Sequence, residues 1–571
     1  MSTDNRDRAE RIVTRAREGE QAWGRLGVAE RRAMLQRFVG LTRARAAEWV
    51  EIAARIKGLA ADSPLLGEEW MSGPWATVHY AQHLSETLER MERGRGPTDG
   101  FDVRDVPGDR VAVEVLPHST WDRLLLSGFS AEVWCEPGVT EDDVRRHAGL
   151  GSAEPEKTRG TCLVLGAGNI FSIAPLDALY VLHADNRSVA LKLNPITDDL
   201  LGVLETIFAP YIEVGAVQVF TSDVELGGIL AQHEGIDAVH MTGSEQTHDA
   251  IVWGPGEEGD ANKSAGTPRL TKPISSELGG VSPVIVVPGE WSRRDLEFQA
   301  QHVATQRLHN SGANCVASQV VVVSEDWPQK REFLAALRRA LADAPARPAW
   351  YPGMADRAEA ARSTYAGRTQ AVGGTPERTL LTGLDLTDAT ESAFSQEYFG
   401  PVLGVAEVAG TGADFLAEAI EHANQRLRGT LGANVIVRPE DEQAIGADRF
   451  EELLADLRYG TVAVNCWTAV GYLAPYATWG AFPGHPLDDV QSGRGVVHNA
   501  LLLADAERTV VRGPFRPYPR SVLHREMSLT PNPPWFVDNK TAATTGRRLV
   551  DFAAAPAWRK LPGVFASALR G

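Results

Sequence analysis

The sequence lacks the long apolar runs and the cysteine pairs that mark several classes of protein. No stretch approaches the ~20 apolar residues that a membrane-spanning helix needs, so no membrane span is expected. The N-terminal segment MSTDNRDRAERIVTRAREG is charged throughout and has no apolar signal core, which predicts a cytoplasmic protein. Its four cysteines form no CxxC pair, which argues against a zinc ribbon or a disulfide framework: Cys135, Cys162, Cys315 and Cys466.

Acidic residues outnumber basic ones, so the chain carries a formal net charge of -18. A polyanion would be repelled at long range, so nucleic acid is not an expected partner. The charge is uneven, since residues 508–571 contain eleven Lys or Arg against three acids. This basic tail is predicted to dock on the acidic remainder of its own or a neighbouring subunit.

The length of 571 residues is too great for one compact core and predicts two or three domains. Residues 1–109 are mainly amphipathic and helical, and 110–160 contain a strand-bearing insert. Residues 161–270 contain four short apolar strands separated by helical patterns, an alternation typical of a parallel α/β sheet. A Gly-rich linker is predicted at 254–268. A second α/β region spans 271–465, and a bridging segment with the basic tail spans 466–571.

The segment GAGNIF (166–171) follows the first of these strands and lacks the third glycine of a dinucleotide fingerprint, because Phe171 stands in its place. The alternative interpretation is a tight strand-to-helix turn. On such a rigid turn the amide of Asn169 could donate to a developing oxyanion.

Two further residues are candidates for chemistry. A lone cysteine is more often inert core than nucleophile, but Cys315 in NSGANCVASQ has small or polar neighbours and a predicted loop position, which favour an accessible thiolate. Glu277 in SSELGG also has room beside it, although a single glutamate of this kind is most often a surface carboxylate.

The order and spacing of several motifs resemble the aldehyde dehydrogenase superfamily over about residues 160–500. The motifs are Asn169, LKLNP (191–195), MTGS (241–244), ELGG (277–280), GANC (312–315), EYFGP (397–401) and GTVAVN (460–465). The resemblance implies an α/β fold with a Rossmann-like cofactor-binding domain at 161–270, to which the helices of 1–109 belong. It also implies an α/β catalytic domain at 271–465 and a β-strand oligomerisation element, for which 110–160 and 466–571 are the candidates.

The same resemblance implies roles for eight residues. Cys315 matches the nucleophile and Glu277 the general base, while Asn169 and the backbone N–H of Cys315 match the oxyanion donors. The residues that match the family's cofactor-binding positions are Lys192, Gly243, Ser244, Glu397 and Phe399. The implied reaction is the NAD- or NADP-dependent oxidation of a small-molecule aldehyde through a cysteine thioester, in a homo-oligomer, dimer or tetramer.

The sequence departs from the family pattern at two informative positions. Pro195 stands where NAD-preferring members often carry Glu, so both NAD and NADP are admissible cofactors. Asp177 stands where the family often has a bulky side chain, and a solvated or helix-capping role is expected for it. Two alternatives stay open: a CoA-acylating aldehyde dehydrogenase or acyl-CoA reductase, which Glu277 opposes, and a catalytically silent binding or structural protein on the same fold.

Overall fold

The computed structural model describes residues 3–221, 223–374 and 377–571. The helices are α1 (Thr3–Trp23), α2 (Val28–Ile56), α3 (Leu66–Trp70), α4 (Ala76–Glu92), α5 (Thr120–Leu125), α6 (Glu141–His147), α7 (Ile173–His183), α8 (Leu201–Ile207), α9 (Ala209–Glu213), α10 (Val224–Gln232), α11 (Glu245–Val252), α12 (Gly256–Ala265), α13 (Arg293–Leu308), α14 (Lys330–Asp343), α15 (Met354–Thr364), α16 (Gly412–Arg426), α17 (Pro439–Ile445), α18 (Ala447–Asp456), α19 (Ala469–Leu473), α20 (Arg520–Leu523), α21 (Ala542–Ala554) and α22 (Leu561–Ala568).

The strands are β1 (Val103–Val106), β2 (Arg110–Leu116), β3 (Ser130–Cys135), β4 (Thr161–Leu165), β5 (Ser188–Lys192), β6 (Val217–Phe220), β7 (Ala238–Gly243), β8 (Ile274–Leu278), β9 (Ser282–Val286), β10 (Ser318–Ser324), β11 (Thr369–Ala371), β12 (Thr379–Leu384), β13 (Val402–Val408), β14 (Gly432–Ile436), β15 (Thr461–Val464), β16 (Thr478–Gly480), β17 (Gly493–Arg494), β18 (Val496–His498) and β19 (Ala506–Arg512). None of the helices in the described ranges is long and apolar enough to cross a bilayer.

The smaller of the two main sheets has the order β17-β8-β7-β4-β5-β6. Strands β4 to β8 pair in parallel, as the alternation of apolar strands and helices predicts, and the α/β fold class is confirmed. Strand β8 also belongs to this sheet, so the chain leaves it after Leu278 rather than near residue 270. Glu277, one residue before the end of β8, therefore lies on the edge of the smaller sheet that faces the larger one.

The larger sheet has the order β1-β2-β3-β19-β15-β14-β9-β10-β13-β12-β11. The strands of the 110–160 insert enter it through β3, which pairs antiparallel with β19 near the C-terminus. One further strand, β1, begins before residue 110 and pairs with β2. The insert is thus an edge of this sheet in the single chain, and its role in oligomerisation stays a prediction.

The two N-terminal helices predicted from amphipathic spacing are present as α1 and α2. The Arg31 guanidinium lies 4.0 Å from the centre of the Trp23 ring, and both side chains donate to Asn186 Oδ1, at 2.9 and 3.1 Å. Asn186 precedes β5, so these bonds fix the helical segment against the smaller sheet. All three side chains are buried. Loss of either hydrogen bond would leave a buried polar group without a partner and destabilise the folded state.

The prediction of a Gly-rich linker at 254–268 is wrong, because most of it forms α12. Pro255 precedes the helix, and Glu257 and Glu258 in its first turn interact favourably with the helix dipole. Lys263 lies in the last turn, and Gly266 ends the helix in the left-handed conformation with φ 65°. The residues that begin and end this helix are recognisable in the sequence, but the number of glycines led to the prediction of a linker.

The basic tail packs on its own chain, as one of the two predicted arrangements requires. Helix α21 packs against α2, α3 and α4. The Phe536 ring stacks on Phe298 and His302 at centroid distances of 5.4 and 5.6 Å, and Trp558 contacts Trp121 at 4.6 Å. The tail is therefore an integral part of the folded subunit.

Candidate active site

A cavity of about 1260 Å³ lies between the end of the smaller sheet and the loops that precede β10 and β13. It brings together residues that are more than two hundred positions apart in the chain. All eight residues singled out in the sequence line it: Asn169, Lys192, Gly243, Ser244, Glu277, Cys315, Glu397 and Phe399. The cavity is therefore the candidate active site.

The loop that carries Cys315 is tightly held. After α13 the chain turns at Asn310, Ser311 and Gly312, whose φ angles are 55°, 59° and 82°. A Cβ at Gly312 would lie 2.6 Å from the Gly400 carbonyl oxygen, so this position requires glycine. The Asn310 amide bridges the loop by donating to the Ala313 carbonyl at 2.9 Å. These constraints present Cys315 to the cavity just before β10.

A buried ionic cluster beneath this loop is not apparent in the sequence. The Asn310 backbone N–H donates to Glu68 Oε2 at 2.8 Å, and Glu68 pairs with Arg347. Glu69 next to it pairs with Lys57 at 2.9 Å. In the sequence the adjacent acids of α3 look like a solvated face, since nothing local shows which distant cations neutralise them. The cluster fixes the loop to the N-terminal helices.

Cys315 is half-buried, whereas the other three cysteines are buried. Burial raises the pKa of the Cys315 thiol well above its usual value, and the carboxylates of Glu277 and Glu397 add to the rise. The thiol is therefore protonated at rest. Formation of the nucleophilic thiolate requires a base or the approach of positive charge.

Glu277 faces the thiol from β8 and is 3% exposed. Burial and, after it, the nearby Asp177 raise the pKa of its carboxyl to about 8, and hydrogen bonding to Cys315 and Trp479 opposes the rise. Its Oε1 atom has no hydrogen-bond partner within the described ranges. A buried oxygen of this kind is available to a water or a substrate atom. Glu277 is thus not the surface carboxylate that its sequence context alone favours.

Asn169 lies in the turn after β4, next to the nucleophile loop. Its Nδ2 donates to the Ala313 carbonyl at 3.2 Å, and its own carbonyl accepts from Asn310 Nδ2 at 3.0 Å. One amide proton of Asn169 is thus engaged, and the second is available to the cavity. The segment GAGNIF thus forms the tight strand-to-helix connection of the alternative interpretation, and the oxyanion role of Asn169 stays a prediction.

The other end of the cavity carries Lys192, Gly243 and Ser244. Lys192 ends β5, is 9% exposed and donates to the Leu193 carbonyl at 3.3 Å. Burial lowers the pKa of its ammonium group. Ser244 caps α11, where its Oγ accepts from the Thr247 N–H at 3.3 Å. A cation beside a helix N-terminus is a favourable environment for an anionic group.

Glu397 and Phe399 lie on the opposite wall. Burial raises the pKa of the Glu397 carboxyl to about 8, which Arg307 and the Gly280 N–H oppose. A Cβ at Gly279 would lie 2.3 Å from Glu397 Oε2, so glycine there lets the carboxyl enter the cavity. Phe399 has φ 47°, a strained backbone for a bulky residue, and its ring contacts Tyr351 at 4.9 Å.

The expected solvated or capping role of Asp177 is wrong. Asp177 lies within α7 and is 0% exposed, because α7 is covered by the smaller sheet on one side and by α4 on the other. Ser172, not Asp177, precedes the helix. In the sequence, the α7 segment is apolar on all sides and has no polar face. The pattern therefore does not predict whether Asp177 is buried or exposed.

Residues 200–480 match the sequence model of the aldehyde dehydrogenase family. The chain is 28% identical over 273 residues to aldehyde dehydrogenase 1 of Tanacetum cinerariifolium, covering 44% of this chain and 48% of that protein. It is 30% identical over 266 residues to succinate-semialdehyde dehydrogenase [NADP(+)] of Deinococcus radiodurans, covering 43% and 51%. The match thus spans about half the length of these curated relatives.

Among solved structures, the chain is similar to gamma-glutamyl-gamma-aminobutyraldehyde dehydrogenase of Burkholderia cenocepacia. The TM-score is 0.58 at 20% identity, over 88% of each chain. This likeness shows a shared fold. The matched family region and the curated relatives support membership of the aldehyde dehydrogenase superfamily.

Proposed function

We propose that this protein oxidises an aldehyde to a carboxylic acid, with NAD or NADP, through a thiohemiacetal and a thioester on Cys315. Family membership supports aldehyde oxidation in general. The observation that carries the finer proposal is the meeting of one accessible thiol, one buried carboxyl and one anchored amide in a single cavity: Cys315, Glu277 and Asn169.

The cavity fits a nicotinamide dinucleotide in its chemistry. Lys192 would contact the adenosine ribose, and the backbone N–H groups around Gly243 and Ser244 would face the diphosphate. Glu397 would hold the nicotinamide ribose next to Phe399. When bound, the cofactor supplies the hydride acceptor for the oxidation. Pro195 at the cavity wall presents no carboxylate toward a ribose 2′-phosphate, which supports NADP as well as NAD.

In the first step, the Cys315 sulfur forms a bond to the aldehyde carbon and the thiol proton leaves. Glu277 faces the thiol and, once ionised, is the nearest base for that proton. The carbonyl oxygen becomes an oxyanion, which the second amide proton of Asn169 and the Cys315 N–H would stabilise by about 3 kcal/mol each. Loss of hydride then leaves the acyl group as a thioester on sulfur.

In the second step, water attacks the thioester carbon, and the carbon–sulfur bond breaks to release the acid. The water proton goes to Glu277, whose unpartnered Oε1 is buried beside the sulfur. Before this step Glu277 releases the thiol proton to solvent, so the same carboxyl acts twice as a base. Its raised pKa makes it a stronger base when ionised, at the expense of the ionised fraction at pH 7.

The substrate, assembly and location follow from the relatives only in part. Relatives are named for different aldehydes, including betaine aldehyde and succinate semialdehyde, so the proposal extends to a small-molecule aldehyde. A mouse relative is named as a dimeric NADP-preferring enzyme. We therefore include a homo-oligomer in the proposal, and we keep the expected cytoplasmic location as a separate part of it.

The proposal is tested by Cys315→Ala assayed with NAD and NADP over short, long-chain and aromatic aldehydes. Turnover should be abolished while cofactor binding by calorimetry stays near that of the parent, because sulfur makes the covalent bond to substrate. The matched control is Cys135→Ala, a buried strand cysteine whose pKa burial raises to about 12. Residual turnover above about a tenth in Cys315→Ala would refute the nucleophile assignment.

A further inference from the structure

A buried carboxyl beside the site, that of Asp177, has no part in the steps above. Its Oδ2 accepts a hydrogen bond from Thr242 Oγ1 at 2.9 Å and lies 3.3 Å from His240 Nε2. Its Oδ1 has no hydrogen-bond partner within the described ranges. A carboxyl with 0% exposure and an unpaired oxygen is unfavourable for folding, so packing alone gives no reason for it.

The strand register brings this carboxyl next to Glu277. Thr242 on β7 and Glu277 on β8 are paired residues of adjacent parallel strands, so their side chains leave the same face of the sheet. Adjacent strands are about 4.8 Å apart. Because Asp177 accepts from the Thr242 hydroxyl, its carboxyl lies at the face of the sheet from which the buried Glu277 side chain leaves. Two such carboxyls resist being ionised together.

Several of the groups that face Asp177 are neutral at pH 7. Burial raises the pKa values of Tyr80 on α4 and Tyr472 on α19 far above the usual range, so both are neutral. Burial lowers the pKa of His498 on β18 to about 4, so it is neutral at pH 7. The remaining titratable neighbour is His240, whose other ring nitrogen, Nδ1, lies 2.9 Å from Ser275 Oγ.

The groups that face the other partners complete the electrostatic environment. Glu277 is faced by the Cys315 thiol, the Trp479 indole, the Tyr472 hydroxyl and the Glu397 carboxyl. His240 is also faced by Asp185, just beyond α7. After burial, Asp177 is the largest cause of the raised pKa of Glu277. Asp177 within α7 and Asp185 beyond its end share His240 as a neighbour.

We propose that Asp177 is a positioning residue that sets the basicity of Glu277. Its negative charge opposes ionisation of Glu277, so the carboxylate that does form is a stronger base for the thiol and water protons. Thr242 and His240 hold the Asp177 carboxyl in place. This inference rests on the proposed function, in which Glu277 accepts those protons.

The test measures the ionisation of Glu277 in the full-length protein without substrate. Infrared difference spectra between the parent and Glu277→Gln isolate the carboxyl C=O band of Glu277, and its loss with rising pH gives the midpoint. The parent midpoint is expected near 8. In Asp177→Asn, which keeps an oxygen for Thr242, it should fall by about one pH unit, the scale for removal of a nearby like charge. Asp185→Asn, the same change on the far side of His240, should leave it unchanged.

An unmoved midpoint in Asp177→Asn, or equal shifts in both variants, would overturn the inference. If Asp177→Asn does not fold, Asp177→Ser offers Thr242 a hydroxyl and should give the same fall. The pH at which the single-turnover rate of thioester hydrolysis rises should shift in Asp177→Asn by the same amount as the midpoint. A rate profile that does not shift also contradicts the inference. If the midpoint falls in Asp177→Asn but the parent protein oxidises no aldehyde, the proposed function is refuted and the electrostatic role of Asp177 stands.

Discussion

The two sides of Cys315 differ in chemistry. The cleft side carries Lys192, Glu397 and the start of α11, which are charged or polar. The opposite side is an aromatic cluster with the buried Trp467 and Trp479 at its centre and half-buried side chains around it, which are Tyr180, Tyr472 and Trp535. The sulfur lies at the boundary.

This difference places the Cys315 sulfur between two surroundings of unlike polarity. Under the proposed function, the cleft would hold the anionic cofactor, and the apolar part of the aldehyde would lie toward the aromatic cluster. Trp535 comes from the tail and also contacts Phe129 at 5.5 Å. The tail therefore contributes to the apolar side and not to the cleft.

The largest effect is expected from Glu277→Gln, because Glu277 lies next to the sulfur at the boundary between the two sides. The variant should still release one equivalent of reduced cofactor per site, more slowly than the parent because Gln cannot accept the thiol proton. It should then stall at the thioester because Gln cannot accept the water proton. Steady turnover should fall about 100-fold or more. In the parent, turnover should rise with pH through about 8, since the base form exists above that pKa. Rapid-quench and steady-state assays measure both.

A contrary result at Glu277 would change the reaction class. If the enzyme needs CoA for turnover and Glu277→Gln is nearly as active as the parent, the acyl acceptor is CoA rather than water. The CoA-acylating alternative would then replace the hydrolytic one.

For Asn169→Ala we expect a fall in kcat of about 100-fold, the scale of one lost oxyanion donor. Asn310→Ala would be a poor comparison because it also removes the loop bridge, so the matched variant is Asn169→Asp, which is isosteric but has no donor. Stopped-flow measurement of the hydride step should show the loss in both variants. An unchanged kcat would assign Asn169 to the turn alone.

On the cleft side, Lys192→Met should weaken cofactor binding about tenfold, in line with the loss of one charged hydrogen bond. Calorimetric titration with NAD and NADP measures the change, and measurable NADP binding is expected in the parent. The thiol should keep its alkylation rate, since Lys192 does not face it. Equal affinities in variant and parent would remove Lys192 from the cofactor site.

The smallest effect is expected on the aromatic side, from Trp535→Ala. Loss of a half-buried indole should raise KM for aromatic and long-chain aldehydes about fivefold and leave short aldehydes nearly unaffected. The control is Trp558→Ala, since Trp558 is 64% exposed and lies outside the cluster. If KM rises equally for short and long aldehydes, Trp535 does not distinguish them.

Much of this arrangement could be predicted from the sequence, and the limits have physical causes. The four strands of 161–270 and the N-terminal helices follow from local periodicity. The eight cavity residues came from an ordered set of motifs. Asp177 and the Glu68–Arg347 pair were missed because their burial depends on partners 65 and 279 positions away. Strand β8 was placed in the wrong region because sheet membership is a long-range property.

The larger sheet has a consequence for the timing of synthesis. Strand β19 lies between β3 and β15, so β3 has no neighbour on that side until residues 506–512 have been made. At the usual rates of translation, the interval between Cys135 and Ala506 is roughly 20 to 70 s. During that time β3, with the sequence SAEVWC, has an open edge of the kind that can pair with another chain. The nascent chain therefore carries this open strand edge throughout the synthesis of its nucleophile loop.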